Sequence, residues 1–275
     1  MNKITEMETL PERKKQGVVT AFQLPLKITV QEGSFLHIGG SPSPIMDKKA
    51  PVFSVDGKPV IPATSFKGAF RYQVEQLLIN NRTGIAGKFS LKDEKITKPC
   101  IPSPKPSVPE KELLKTVYRR SCNIKTAPRI EVDGGGFCPA CYLFGGPGLM
   151  GFLRIPNFFP GAGEYRIDQT NIRIDRKTGT AAEGAIVTGE QVKPGTAFTG
   201  TLEIIDKLEM FQFGRPRVIG DIKVDQWLDG LTEKPLEDVQ LLLINQLLIP
   251  ALNEIQILGG QKSKGAGKVG IQLIQ

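Results

Sequence analysis

Hydrophobic residues alternate with polar ones along one early segment and recur at helical spacing along two others, so the chain mixes strands with helices. The alternation across residues 24–30 predicts a half-buried strand. The first helical pattern follows Thr64 or Ser65, either of which can cap a helix start, and ends near Asn80. The second helical pattern spans residues 235–255. Its predicted inward positions are Val239, Leu242, Leu243, Leu247 and Leu248.

Composition changes divide the rest of the chain into an arm, a domain and an insertion. Residues 1–17 are polar and charged, and we expect them to form a flexible arm. Residues 18–275 then form a single α+β domain, in which two helices lie on one sheet in a ferredoxin-like or RNA-recognition arrangement. An insertion at about 85–142 is polar and Pro-rich with weak periodicity, and a Thr- and Gly-rich run at about 170–200 predicts a long hairpin.

The chain is basic, with a formal net charge of +8 and an isoelectric point near 9.3. Such an excess favours a polyanionic partner, although a basic globular protein without one is the plain alternative. The sequence has no apolar run long enough to span a membrane, and its polar start has no signal-peptide pattern, so we expect a cytoplasmic protein. In a reducing cytosol its four cysteines are not expected to form disulfides.

The four cysteines lie close together in sequence and suggest a metal site inside the insertion. Cys138 and Cys141 form a C-x-x-C turn that can direct two sulfurs at one tetrahedral ion. Cys100 and Cys122 could complete a four-sulfur zinc shell, which would staple a segment that has little core of its own. The spacing of Cys100 is the loosest, and His37, the only histidine, could replace it as a ligand. The alternative interpretation is four small buried hydrophobes.

Residues 258–270, LGGQKSKGAGKVG, combine bare backbone with positive charge. Glycines permit positive φ and let backbone N–H groups converge on an anion, while lysines add charge, so this segment is a candidate phosphate-binding loop. A solvated connector before an edge strand is the alternative. The candidate residues are Gly259, Gly260, Gly265, Lys262, Lys264 and Lys268.

Basic residues elsewhere extend the candidate RNA-binding surface. Lys67 and Arg71 are four residues apart on the first predicted helix, so both should project from the same side of it. Arg173, Arg176 and Lys177 lie in the region of the predicted hairpin.

Five segments together resemble the RAMP superfamily, the repeat-associated proteins of CRISPR effector complexes. IPATSFKGAFR matches the family's helix-opening string throughout, and LHIGG resembles the end of its first strand. CPACYLFGG resembles its C-x-x-C-x-L-F-G element, and RIDRKTGTAAEGAIV resembles the lead into its thumb hairpin. LGGQKSKGAGKVG resembles its C-terminal glycine-rich loop. The segments follow the family order from about residue 24 to 275, nearly the whole chain.

The best likeness within the family is to the backbone subunit of type III effector complexes. This resemblance implies an RNA-recognition-like palm, a thumb-like hairpin and a crRNA laid along a filament of subunits, with further copies of this chain among the implied partners. The partners it implies are crRNA, target RNA and other effector subunits. Base pairing would then read the sequence while the protein holds the backbone.

The resemblance also implies target-RNA cleavage by an aspartate in the loop after the first strand. The only acid in the corresponding loop here is Asp47, which could recruit Mg²⁺ or Mn²⁺, with Lys48 or Lys49 contacting the phosphate. The chain departs from the family pattern at this point: a gap-free match of the following residues places Lys49, not Asp47, at the catalytic position.

Three other functions remain open from the sequence. The first is an architectural subunit that binds crRNA without cutting. The second is a crRNA-processing endoribonuclease that uses His37, and the third is a metal-binding scaffold unrelated to CRISPR. An Asp47→Ala substitution separates the cleaving subunit from the architectural one.

Overall fold

The computed structural model describes residues 3–39, 51–80, 98–103, 105–125, 131–132 and 136–274. Its strands, in chain order, are β1 (Arg13–Gln16), β2 (Val19–Val30), β3 (Ser54–Val55), β4 (Lys58–Pro59), β5 (Ile124–Lys125), β6 (Glu131–Val132), β7 (Leu153–Arg154), β8 (Phe159–Pro160), β9 (Arg166–Ile174), β10 (Ala181–Val192), β11 (Ala197–Leu208), β12 (Phe211–Gln212), β13 (Val218–Ile219), β14 (Ile222–Lys223) and β15 (Val269–Leu273). Its helices are α1 (Ala63–Asn80), α2 (Val108–Thr116), α3 (Pro139–Phe144), α4 (Leu236–Leu243) and α5 (Ile249–Asn253), with a π-helical segment at Ile244–Leu248 and 3₁₀ turns at Gln226–Leu231 and Lys262–Lys264.

The main sheet is antiparallel and is built around β2 and β11, which pair along their lengths. β15 and β1 pair with the outer edge of β2, while β7, β8 and β12 pair with the outer edge of β11. Antiparallel sheets combined with a few helices confirm the α+β class. The predicted alternation is also confirmed, because Leu24, Leu26, Ile28 and Val30 are all buried.

Helix α1 packs an aromatic face into the core but begins earlier than the sequence predicts. Phe66 and Phe70 are fully buried, and the Phe66 ring lies 4.8 Å from that of Phe158. The helix begins at Ala63, ahead of the predicted caps Thr64 and Ser65, and the Ala63 amide donates to Asn157 Oδ1 at 2.8 Å. The cap therefore comes from a distant loop, which a local motif cannot reveal.

The second predicted helix is continuous from α4 through the π-helical segment to α5. Pro250 lacks the N–H that an α-helix needs at this point, and the π-helical turn directly before it accommodates the change. Ile244, the first residue of the π-helical segment, is buried, while Leu242, predicted to face inward, is only partly buried. In the described part of the chain, no helix is both long and apolar enough to cross a bilayer.

Residues 3–17, expected as a flexible arm, are instead held against the domain. The amide of Ile4 donates to Asn253 Oδ1 at 2.8 Å, and Asn253 Nδ2 donates back to the Ile4 carbonyl at 2.9 Å. Asn245 makes the same pair of bonds with Met7, both at 2.8 Å. β1 then pairs with β2. The polar composition of this segment predicted a flexible arm, because its hydrogen-bond partners Asn245 and Asn253 lie more than 200 positions away in sequence and leave no local signal.

β9 and β10 form a separate two-stranded hairpin, which we call the thumb hairpin. It spans Arg166–Val192, whereas the sequence predicts about 170–200, because residues from Ala197 onward belong to β11. Its turn is closed by Asp175, whose Oδ1 accepts from the amides of Lys177 and Thr178. Those amide donors lower the pKa of Asp175.

Candidate metal centre and nucleic-acid surface

The four cysteines of the insertion converge on one buried point. The Sγ atoms of Cys100, Cys122, Cys138 and Cys141 all lie within 4.8 Å of one another, and each residue is fully buried. The sulfurs of Cys100 and Cys141 are 3.3 Å apart, too far for a disulfide bond of about 2.05 Å. The thiols are free and share one small volume.

Local structure aims the C-x-x-C sulfurs at this volume. Cys138 caps α3, and its Sγ accepts from the Cys141 amide at 3.5 Å. The Cys138 amide in turn donates to Cys122 Sγ at 3.3 Å. Cys100 is fixed by a parallel bridge to Arg119, in which the Ile101 amide donates to the Arg119 carbonyl at 3.1 Å. Backbone hydrogen bonds therefore position the cluster from both sides.

This sulfur set fits a structural zinc ion. Tetrahedral zinc with Zn–S distances of about 2.3 Å places its sulfurs about 3.8 Å apart, within the spread observed here. Four buried thiolates with no open position are the donor set of a closed structural site. Cys100, the loosest in sequence, is part of the set, whereas His37 is bound elsewhere through Nδ1, 3.0 Å from the Glu190 carbonyl oxygen.

Two arginines contact the sulfurs directly. Arg71 Nη2 donates to Cys141 Sγ at 3.3 Å, and Arg119 Nη2 donates to Cys122 Sγ at 2.9 Å. Hydrogen bonds from the other cysteines, Cys100 first, and the charge of Arg119 hold the pKa of Cys122 far below its usual range. Burial opposes the charged form of Arg71, but the neighbouring Cys141 and Glu75 outweigh it and raise its pKa.

Arg71 and Lys67 do not share one environment, although they are four residues apart. Lys67 is exposed, whereas the Arg71 side chain is only 13% exposed. Besides its sulfur contact, Arg71 donates from Nε to Glu75 at 2.8 Å and from Nη1 to the Gly145 carbonyl at 3.2 Å. The expectation that both project from one side of the helix therefore fits Lys67 and does not fit Arg71, whose donors are engaged by Glu75, Gly145 and Cys141.

The glycine-rich segment runs close against the main chain at His37, in the segment that follows β2. Gly259 has φ of 80°, and a Cβ there would lie 2.4 Å from the His37 carbonyl oxygen. The Gly260 amide donates to that same oxygen at 2.7 Å. Gly265 also has positive φ, 81°, but faces open space. We call Gly259–Lys268 the basic rim; its exposed lysines are Lys262, Lys264 and Lys268.

A crevice of about 790 Å³ separates the basic rim from α1. Its α1 wall includes Ser65, Gly68 and Tyr72, and its opposite wall includes Gly260 and Lys262. Tyr72 is 54% exposed, so an aromatic face is available in the crevice that Lys262 also lines. Small residues on both walls leave room for a flat or extended ligand.

The residues predicted to cleave target RNA cannot be placed in the structure. Asp47, Lys48 and Lys49 all lie outside the described residues. Gly39, the last described residue before them, lines the crevice. His37 is 9% exposed, and its carbonyl and its ring bind main-chain groups of the basic rim and of β10.

The thumb hairpin presents charge at its tip. Arg173, Arg176 and Lys177 are exposed, and their contact with RNA stays a prediction. Arg166 at its base instead bonds to Glu190 at 3.2 Å and to Ser54 at 2.7 Å, which ties the hairpin to the domain.

Sequence reasoning missed Arg119 and Tyr72. Arg119 precedes Cys122 by three residues, but that spacing alone carries no metal signal. Tyr72 directly follows the segment IPATSFKGAFR and lies between the buried positions Phe70 and Val74. Only its exposure in the folded structure identifies it as a candidate ligand-binding residue.

The fold and surfaces define an α+β protein with a buried four-cysteine centre and an exposed basic rim. The family model of the RAMP superfamily matches residues 33–270, so the chain belongs to the RAMP superfamily. Proteins of this superfamily are CRISPR-associated and bind RNA. No curated protein matches the chain in a sequence comparison.

Proposed function

We propose that this protein is a crRNA-binding backbone subunit of a type III CRISPR effector complex. The observation that carries the proposal is the crevice between α1 and the basic rim, which is lined by Lys262, bare glycines and Tyr72, together with the acidic Glu254. Lys264 and Lys268 are exposed on the same rim. Lysines without base-specific geometry bind phosphates of any sequence, and an aromatic face stacks any base. Membership of the RAMP superfamily supports RNA as the polyanion.

The strand order supports an RNA-recognition-like palm. The four main strands in chain order are β2, the β7–β8 pair, β11 and β15, and across the sheet they lie in the order β15, β2, β11, β7–β8. Helix α1 follows the first of these strands, and α4–α5 follow the third. This is the βαββαβ arrangement of ferredoxin-like folds. The thumb hairpin would then project basic residues along the guide, and further copies of the chain and other effector subunits would continue the filament.

The proposed resident metal is Zn²⁺ held by Cys100, Cys122, Cys138 and Cys141. When bound, the ion would cross-link three separate stretches of the insertion. The residues themselves support this role, because the sulfurs are buried, convergent and already hydrogen-bonded by backbone amides.

For target cleavage, we propose Asp47 as the acid that binds Mg²⁺ or Mn²⁺ and Lys48 or Lys49 as the phosphate contact. Its support is the resemblance in sequence and the position of the loop after β2. The matched substitutions are Asp47→Ala and Lys49→Ala in complexes that carry only the variant. Loss of slicing with Asp47→Ala alone supports the assignment, and unchanged slicing with both variants favours the architectural function.

Co-purification tests the RNA-binding proposal. The protein, expressed with its CRISPR locus, should carry short RNA of uniform length, and the purified chain should bind single-stranded RNA in a salt-dependent manner. Absence of nucleic acid in the purified protein, together with no binding to single-stranded oligonucleotides at low salt, would overturn the proposal.

A further inference from the structure

A buried four-thiolate zinc centre has an uncompensated charge. One divalent cation and four thiolates carry a net charge of −2 in total, and the four sulfurs here are buried. Burying net charge without a partner is costly, so such a centre needs positive charge or strong donors near it. The question is which groups of this chain supply them.

Arg71 and Arg119 are placed to do so, from different elements and on different sulfurs. Arg71 comes from α1 and donates to Cys141 Sγ at 3.3 Å, with Cys100 Sγ at 3.8 Å. Arg119 follows α2 and donates to Cys122 Sγ at 2.9 Å. Together the two guanidinium groups contact three of the four sulfurs and bring positive charge to the centre, part of which Arg71 shares with Glu75.

We infer that Arg71 and Arg119 are positioning residues of the metal centre, which neutralise the thiolates and fix the insertion to the domain. The inference rests on the proposed zinc site and goes beyond the proposed RNA binding, because it removes Arg71 from the RNA surface. N–H···S bonds from a charged donor withdraw electron density from a thiolate, so they act on the bound metal as well as on the packing.

The other contacts of Arg71 make it a mechanical link as well. Its Nε bonds Glu75 within α1, and its Nη1 bonds the Gly145 carbonyl at the end of α3, the helix that Cys138 caps. Glu75 also accepts from Tyr118 at 3.4 Å, next to Arg119. One side chain therefore connects α1, which carries Lys67 on its exposed side, to the C-x-x-C turn.

The test compares substitutions that remove the same charge in two environments. The full-length chain is loaded with Zn²⁺, and its affinity is measured by competition with a chelator at fixed pH. Arg71→Gln removes the charge at the sulfurs, Arg71→Lys keeps it, and Lys67→Gln removes a charge one turn away in solvent. We expect Arg71→Gln and Arg119→Gln each to weaken binding about 10- to 100-fold. Arg71→Lys should lose less than Arg71→Gln, and Lys67→Gln should match the native chain.

Cobalt substitution separates positioning from simple destabilisation. With Co²⁺ in place of Zn²⁺, the sulfur-to-cobalt charge-transfer band should shift in Arg71→Gln and stay unchanged in Lys67→Gln. A variant that merely loosens the fold would lower affinity but leave the band of the bound fraction unmoved, and that result would overturn the inference. Equal losses for Arg71→Lys and Arg71→Gln would also overturn it.

Two further outcomes keep the inference separate from the proposed function. A native chain that holds no zinc would sink the metal centre and this inference while leaving RNA binding untouched. If Arg71→Gln does not fold, Arg119→Gln decides the matter, and native zinc affinity in Arg119→Gln would overturn the inference.

Discussion

The cysteine centre and the basic rim use opposite physical strategies. The centre is buried, its groups converge within 4.8 Å, and its charged neighbours are all engaged. The rim is exposed, and its lysines stand on glycine-rich backbone in solvent. Lys67 and Arg71, one helical turn apart, separate into the two regions. Positive charge therefore supports structure where it is enclosed and is available for ligand binding where it is open.

The largest expected effect is loss of the cysteine centre. Cys138→Ser removes a sulfur ligand but keeps an N-cap at α3, so the variant should lose bound zinc and, with it, about 4 kcal/mol of unfolding free energy. Urea melting and metal analysis measure both quantities. Ser121→Ala, beside Cys122 but outside the sulfur set, is the control and should change stability by less than about 1 kcal/mol. Native zinc content in Cys138→Ser would contradict the site.

A matched glycine pair tests whether the rim is shaped by contact or by turn geometry. Gly259 and Gly265 have φ of 80° and 81°, but only Gly259 faces backbone, with a substituted Cβ 2.4 Å from the His37 carbonyl oxygen. Gly265→Ala should cost about 1 kcal/mol, for the left-handed backbone alone. Gly259→Ala should cost about 3 kcal/mol, since the main chain at His37 must also move. Equal costs in thermal melts would show that the contact is unimportant.

Charge removal from the rim should weaken RNA binding without loosening the fold. Lys262→Gln with Lys264→Gln should lower single-stranded RNA affinity about tenfold and reduce the salt slope by about 1.4, at about 0.7 per phosphate contact. Filter binding across a salt series measures both. Lys111→Gln with Lys115→Gln, on α2 of the insertion, removes the same charge elsewhere. If that control weakens binding equally, net charge alone accounts for the affinity.

The smallest expected effect is at Tyr72. Replacing it with Leu should cost about 1 kcal/mol of RNA binding, through lost base stacking, while Tyr72→Phe should retain native affinity. Fluorescence of RNA that carries 2-aminopurine reports the stacking directly. A loss with Tyr72→Phe equal to that with Tyr72→Leu would assign the effect to the hydroxyl instead.

The sequence predicts features that depend on local pattern and misses those that depend on distant neighbours. Alternation located β2 and spacing located α1, because burial of one face sets both periods. The cysteine set was predicted because its chemistry allows few alternatives, and the four sulfurs do converge. The four-residue spacing predicted the side of α1 from which Arg71 projects. It could not predict that the Arg71 guanidinium contacts the cysteine sulfurs.

The predicted boundaries of α1 and of the thumb hairpin were wrong for the same reason. Asn157, far along the chain, supplies the acceptor that lets α1 begin at Ala63. The Thr- and Gly-rich run continues across the thumb hairpin into β11, so composition could not mark where pairing changes from β9 to β2. These misses come from tertiary partners rather than from an incorrect element type.

The side chain of Asn253 hydrogen-bonds to the main chain of Ile4, and that of Asn245 to the main chain of Met7. Because Ile4 is buried in the core and Met7 and Leu10 pack against it, polar substitutions at these positions should be costly, whereas the exposed positions between them should tolerate change. Deleting the stretch would also leave the side-chain amides of Asn245 and Asn253 without their main-chain partners. An expression strategy that deletes residues 1–10 as dispensable should yield a weaker protein, and purification tags belong at a different place in the chain.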